Sequence, residues 1–394
     1  MRPTISVILT TYNAKERLRL TLESYRRQSY PTNLFELVIV DDGSQDGTEA
    51  WFKTKEWSFS ANYVYNVPNK GRAGARNEGV CAATGEVLLF TDGDMLVEPD
   101  FIERHAEYHQ NSDDRVVCGS FWQSLYSVLY RDFDKKLLQW LKNLVKKDPQ
   151  LKKRYAAARE KLKKRACAPL MKVKEIDGIR HSPLLADNSR ISKYFAPYTA
   201  NEFYFVWLFF VVMNVSVRKK HLERVGGFDE NLVGYGCEDT EIGYRLWRKG
   251  LDFIVDPTLQ NYHQEHARNF HKLEKERTSN MLYMVKKHKT VEMALYNCVP
   301  VGNTLAKSTF MFNRGRLLSA RLVSKAFVAQ VDQLIWRCAI RKCPELKEPA
   351  PVLAAFDEEL FWREAANVRS KQEFASFVFF VEQLYAKSGI SHGL

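Results

Sequence analysis

Over the first 120 residues, short apolar runs alternate with amphipathic stretches. The runs ISVILTT from Ile5, ELVIVDD from Glu36, NYVYNV from Asn62, EVLLFTD from Glu86 and RVVCGS from Arg115 are rich in β-branched residues and end in polar clusters, which predicts strands. Between them, residues 14–28, 46–55, 72–83 and 99–110 read as helices. The order β-α-β-α-β-α-β-α-β predicts an α/β fold with a mostly parallel sheet covered by helices. Three polar clusters close strands: Thr10-Thr11-Tyr12-Asn13, Asp41-Asp42-Gly43-Ser44 and Asp92-Gly93-Asp94. Ligands of such sheets lie beyond the carboxyl ends of the strands, so the three clusters are expected on one rim.

After residue 120 the alternation breaks. A Lys-rich helical pattern (DKKLLQWLKNLVKKD, then LKKRYAAAREKLKKR) and an irregular tract around HSPLLADNSR read as an insertion or lid over 121–202. The apolar run from Phe203 to Asn214 is too short to span a bilayer and is expected to be a buried strand continuing to residue 217. A short helix over 218–225 follows, then a glycine-rich loop entering a helix in VGGFDENLVGYGCEDTEIGYRLWRKG. From about 270 the pattern is helical, with a break around Pro344 to Pro351. The expected division is 1–120, 121–202, 203–268 and a helical C-terminal region over 269–394.

Composition refines this picture in three ways. At 45% hydrophobic, 394 residues sustain a globular core, and no targeting or membrane-spanning segment is visible. The seven cysteines lack zinc-ligand spacing, so free thiols in a reducing cytoplasm are expected. The net charge of +12 is local: residues 131–165 carry 14 Lys/Arg against 4 Asp/Glu, and residues 306–343 carry 8 against 1. No nucleic-acid-binding module accompanies these tracts, so no specific nucleic-acid partner is expected. Each is expected to meet an anionic partner, the first a bound substrate and the second an anionic membrane or a partner protein. A solvated charged face is the plain alternative.

Asp92-Gly93-Asp94 carries the first chemical signal. Two carboxylates beside a buried strand are costly unless a cation compensates them, and their spacing lets both reach one divalent ion; an ordinary turn is the other reading. Its neighbours extend the signal. SVILTTYN at 6–13, VIVDDGSQDGT at 38–48, NKGRAGARNEG at 69–79 and EVLLFTDGDM at 86–95, followed by the Glu-Asp pair in the segment 225–250, together resemble the family 2 glycosyltransferases, which have the GT-A fold. The resemblance covers about residues 4–120 and 205–265.

The resemblance implies a metal-dependent, inverting transfer of sugar from a nucleotide diphosphate donor, UDP-linked by preference, to a hydroxyl of a glycan, a lipid-linked or another acceptor. It implies that Thr10 and Tyr12 line the nucleobase pocket, that Asp42 accepts the uracil N–H, and that Arg76 lies near the nucleotide. Asp92 is implied on ribose or metal, and Asp94 on the Mn2+ or Mg2+ ion. His263 is a further candidate ligand, ahead of His266. Asp239 is implied as the base and Glu238 as its neighbour that orients the acceptor or holds the loop. Bland readings stand beside these: Asp41 or Asp42 as the cap of the 46–55 helix, Arg76 as a surface arginine, and Glu238-Asp239 as helix N-terminal charge. His105 and His109 are read as lying on an outer helix face without a site role. A retaining transferase, a nucleotidyltransferase (without its glycine-rich phosphate loop) and an inactive sugar-nucleotide-binding protein stay open. The expected location is cytoplasmic, or peripheral at the inner face of the membrane.

Overall fold

The structure, a computed structural model, describes residues 2–119, 121–186, 203–268, 270–346 and 356–390. The end of the expected insertion, 187–202, and most of the expected proline break, 347–355, lie outside the described residues. Two compact units form, Met1–Pro197 with Trp207–Leu273 and Tyr198–Val206 with Glu274–Leu394.

The first unit begins with the expected alternation: β1 (Ile5–Thr11), α1 (Lys15–Tyr25), β2 (Phe35–Asp41), α2 (Thr48–Lys53), β3 (Ser60–Tyr65), α3 (Gly71–Ala82), β4 (Val87–Asp92), β5 (Met95–Val97), α4 (Phe101–Gln110) and β6 (Arg115–Cys118). It continues through β7 (Phe121–Leu125), β8 (Val128–Tyr130), α5 (Lys135–Lys147), α6 (Pro149–Leu162), β9 (Cys167–Pro169) and β10 (Leu185–Ala186). After the undescribed stretch come β11 (Val215–Arg218), α7 (Lys219–Val225), α8 (Glu238–Arg248), β12 (Asp252–Val255) and β13 (Gln260–Gln264).

Seven strands form one sheet in the order β12-β6-β11-β4-β1-β2-β3, in which β11 runs antiparallel to both neighbours and every other pairing is parallel. Its central strands read as unbroken apolar runs because both faces are covered. On one face Val7, Leu9, Leu37, Ile39 and Leu89 pack with Leu18, Leu22 and Tyr25 of α1 and Ile102 and Ala106 of α4. On the other, α3 lies so close that a Cβ on Gly79 would sit 2.5 Å from Ile8 Cγ2. The register sets Thr10 opposite Asp92 and Thr11 opposite Asp41, so all three polar clusters share one rim. A second sheet, β10-β7-β13-β5, brings β13 against this rim, where Gln264 N donates to Asp94 O at 2.9 Å.

Two expectations are corrected. Phe203 to Asn214 is not a strand: Val206–Phe209 form a 3-10 turn, and the strand spans only Val215–Arg218. The buried Trp207 turns onto α8 instead, with ring centroids 5.2 Å from Tyr244 and 4.5 Å from Trp247. A run that is apolar throughout shows burial without a period, and here burial against a helix produced it. His105 and His109 are not on an outer face; both are fully buried between α4 and the sheet. Asn214 Oδ1 and Ser216 Oγ lie 2.9 Å from the two His105 ring nitrogens, and His109 Nε2 is 2.8 Å from the same Ser216 hydroxyl.

The second unit is helical: α9 (Phe270–His288), which crosses the unit boundary, α10 (Val291–Asn297), α11 (Thr304–Ser319), α12 (Lys325–Lys342), α13 (Glu358–Arg369) and α14 (Ala375–Ser388). Phe310 of α11 stacks on Phe377 and Phe380 of α14 at 5.0 and 4.5 Å, and α12 packs on α10 and α14. Its basic residues are partly internal. Lys307 is buried and Arg314 pairs with Asp332, which leaves less free charge than the sequence count suggests. All seven cysteines are free thiols.

Burial pushes His105 down to about 4, and burial together with the neighbouring His105 and Arg218 pushes His109 down to about 3. Both are neutral in the fold and protonate near 6.5 once unfolded. The unfolded chain therefore binds more protons below that value, and stability present above it is lost as pH falls towards 4. Urea unfolding at pH 5 should show a loss of roughly 2 kcal/mol per histidine relative to pH 7, and His109→Gln should flatten that slope. Equal slopes in the two proteins would exclude His109 as a contributor.

Candidate active site

The rim chemistry begins where β1, β2 and β4 end. Thr10 Oγ1 donates to Asp92 Oδ1 at 3.3 Å, and Gly93 N donates to Thr10 O at 2.9 Å. A Cβ on Gly93 would meet Thr10 O and Thr11 Cβ at 3.0 Å, so the turn fits a glycine. Tyr12 stands 55% exposed beside these groups, its ring open to stacking.

Asp41 and Asp42 are buried and differ in task. Asp41 accepts from Ser44 N at 2.8 Å and from the Tyr63 hydroxyl. Asp42 Oδ1 accepts from Asn66 Nδ2 at 3.0 Å and Lys70 N at 2.9 Å, and its Oδ2 accepts from Gly71 N at 3.0 Å. Asp42 is thus a helix cap, but of α3 and not of the 46–55 helix. A carboxylate offers about four acceptor positions, so one on Oδ2 remains.

Arg76 of α3 is 3% exposed, which rules out the surface-arginine reading. Its NH1 donates to Glu238 Oε1 at 2.7 Å, its NH2 lies 3.5 Å from Asp92 Oδ1, and the guanidinium sits over the Phe228 ring at 5.8 Å. Burial opposes its charge, but Glu238, Asp92 and Asp239 more than offset that and hold it protonated. One cation thereby ties the end of β4 to the start of α8.

Glu238 and Asp239 open α8 behind Gly234, Gly236 and Cys237, all at positive φ. Cys237 at φ 79° is a non-glycine held in the left-handed region, a local cost that fixes how the helix starts. Asp239 is half-buried and accepts from Thr240 N at 2.8 Å. Burial and the adjacent Glu238 push its carboxyl up to about 7, against the pull of Arg76.

The second sheet contributes the remaining groups. Asp94, His263 and His266 each offer a ligand atom, all within 4.8 Å of one another. Nε2 of His266 and of His263 lie 3.4 and 3.8 Å from Asp94 Oδ2. Despite burial, His263, Arg17, His266 and Arg268 hold the Asp94 carboxyl below its usual range. Asp92, expected on ribose or metal, stands outside this triad on Thr10 and Arg76, and burial raises its pKa. One carboxylate and two imidazoles suit Mn2+ better than Mg2+, since Mn2+ accepts nitrogen ligands more readily.

Three neighbours were not foreseen. Arg17 of α1 is buried, with Nε 3.5 Å from Asp94 Oδ2 and without a hydrogen-bond partner, while its NH1 donates to Tyr130 OH at 2.8 Å. Its one sequence signal is position: it lies one turn before Thr21 on the stripe that continues through Leu18, Leu22 and Tyr25 into the core. Glu265 Oε1 lies 3.3 Å from His263 Nδ1, and Arg268 NH2 donates to His263 Nε2 at 2.8 Å. These two lie on an irregular segment with no period to reveal them.

The profile described as "Glycosyl transferase family 2" matches residues 6–164, and that described as "N-terminal domain of galactosyltransferase" matches residues 201–272. A Bacillus subtilis protein named uncharacterized glycosyltransferase YfnE is 32% identical over 288 residues, 73% of this chain and 71% of that one. Validoxylamine A glucosyltransferase of Streptomyces hygroscopicus subsp. jinggangensis is 29% identical over 268 residues, which takes in 68% of this chain and 56% of the relative. Among solved structures, the mannosyltransferase PcManGT from Pyrobaculum calidifontis in complex with GDP-Man and Mn2+ aligns over 98% of this chain and 87% of its own, at 17% identity and a TM-score of 0.47. The likeness to YfnE runs through most of both chains and the first profile takes in the three polar clusters of the rim, so the chain belongs to family 2 of the glycosyltransferases.

Proposed function

We propose that the chain transfers a sugar, with inversion, from a UDP-sugar to an acceptor hydroxyl. The observation that carries this reading is the Arg76 bridge, which sets the Glu238-Asp239 pair across the rim from the strand end that leads into the Asp94, His263 and His266 triad. Tyr12 offers its exposed ring to the base, and the remaining acceptor position of Asp42 Oδ2 suits one uracil N–H. A divalent ion on Asp94, His263 and His266 would neutralise the charge of the leaving diphosphate. Asp239 takes the acceptor proton as the new bond to the anomeric carbon forms and the bond to the diphosphate breaks, the electron pair leaving with phosphate. A base near 7 is balanced between being deprotonated at working pH and being basic enough to accept. Glu238, committed to Arg76, holds the helix start in place.

Calorimetry of UDP and GDP with and without Mn2+ tests the donor side. Wild type should bind UDP in preference and with Mn2+ dependence, and Asp94→Ala, which removes a direct ligand, should lose at least the roughly 10- to 100-fold in metal-dependent affinity typical of removing an outer partner of a ligand. Unchanged Mn2+ dependence in the variant would remove Asp94 from the site, and a preference for GDP would overturn the nucleotide.

Asp239→Asn keeps the shape but cannot accept a proton. Turnover should fall on the order of 10² to 10⁴-fold while UDP affinity stays within a few-fold of wild type. Because the base must be deprotonated, the wild-type rate should fall as pH drops through about 7. Turnover in Asp239→Asn close to wild type would assign the base elsewhere.

A further inference from the structure

The donor site uses none of the charge on the α5–α6 hairpin. Its inner face is fixed: Leu141, Val145, Leu151 and Ala158 are buried in one cluster with Leu125, Tyr126, Ile176 and Tyr262. The helices meet at Asp148, which ends α5 and caps α6 by accepting from Leu151 N at 2.8 Å, and Arg131 binds the carbonyls of Leu162 and Arg165 at the far end. The outward face is therefore a fixed surface of the first unit.

That face is basic and uncompensated. The acids of the tract are mostly committed: Asp134 and Asp148 to helix caps, and Glu160 to Lys163. Lys142, Lys146 and Lys147 of α5 and Lys152, Lys153 and Lys164 beside them are exposed, and among the described residues no carboxylate pairs with them. Trp140, 38% exposed, shares one flank of α5 with Lys136 one turn before it and Lys147 two turns after.

We propose that this face docks the protein onto an anionic phospholipid surface. Three features choose the occupant. The charge is carried mainly by lysine, a hydrated point charge on a flexible stem, which suits mobile, interchangeable anions; a site for one defined phosphate or carboxylate would be built from arginine forks. The face is the outside of a helical hairpin and not a groove that could track a polymer chain. Trp140, one amphipathic ring among lysines, belongs at the depth of lipid headgroups, whereas nucleic-acid platforms set several aromatics in a row. Among the described residues no helix is long and apolar enough to cross a membrane, so the contact is peripheral. The hairpin shares one core with Tyr262, the residue before His263, so docking would hold the strand that carries His263 at a fixed distance from the lipid.

The test is sedimentation of the intact chain with phosphatidylcholine vesicles, with and without phosphatidylglycerol, at about 0.1 M and about 1 M salt, where the Debye length falls from about 10 to 3 Å. Binding to the anionic vesicles alone, lost at high salt, is expected. Changing Lys142, Lys146, Lys147 and Lys153 together to Glu should lower partitioning at least about tenfold, the Gln version should lower it less, and Trp140→Ala several-fold. Melting curves report whether each variant folds, and the Gln version retains the test should the Glu version fail. Equal binding to both vesicle types, or wild-type partitioning by the folded lysine variants, overturns the proposal. So does saturable binding of soluble polyphosphate with no vesicle binding, which would make the partner a soluble polyanion. UDP affinity should be unchanged in every variant, which separates this result from the donor-site reading.

Discussion

Everything at the rim depends on one buried guanidinium. Asp92 and Glu238 come from separate halves of the first unit, Glu238 buried and Asp92 partly so, and both carboxylates face the same guanidinium. Arg76 stands between them, held by α3 and resting on Phe228. Removing one member of such a buried set typically costs about 3–5 kcal/mol, because the charge left behind is neither solvated nor paired. The approach of α3 to β1, where Gly79 faces Ile8, determines how far that guanidinium reaches. The packing of an ordinary helix on a sheet thus decides whether two functional halves meet.

The same arrangement separates two carboxylates by task. Asp94 is surrounded by histidines and arginines and stays ionised, while Asp239 beside Glu238 is pushed up to about 7. In the proposed reaction the first would hold a cation and the second accept a proton, tasks that need these opposite environments.

Much of this was legible in the sequence, for identifiable reasons. The strands whose ends build the rim have apolar runs bounded by polar clusters, and parallel pairing then leaves Thr10, Asp41 and Asp92 little freedom but to align. What escaped was whatever depends on partners distant in sequence. His105 and His109 look like a solvent-facing pair until Asn214 and Ser216, about a hundred residues away, are seen to receive them. Phe203 to Asn214 shows that it is buried, but not that its partner is α8. Arg17 reads as a charge on a surface helix because the group it faces, Asp94, belongs to another element. Long-range polar pairing leaves no period, and periodicity is what a single sequence displays.

The Arg268 contact has a consequence for how the triad can be occupied. Arg268 NH2 lies 2.8 Å from Nε2 of His263 and 3.4 Å from its Nδ1, against the ring and not out along a single lone pair. A guanidinium can only donate, so it presents its positive charge to a ring that Glu265 holds from the Nδ1 side. An ion held by Asp94, His263 and His266 would meet the Arg268 charge against the same ring, so its arrival would favour displacing that guanidinium and releasing the residues after β13. The occupancy of the triad and the freedom of that segment are then one equilibrium, and whatever restrains the segment also sets the apparent affinity for the ion.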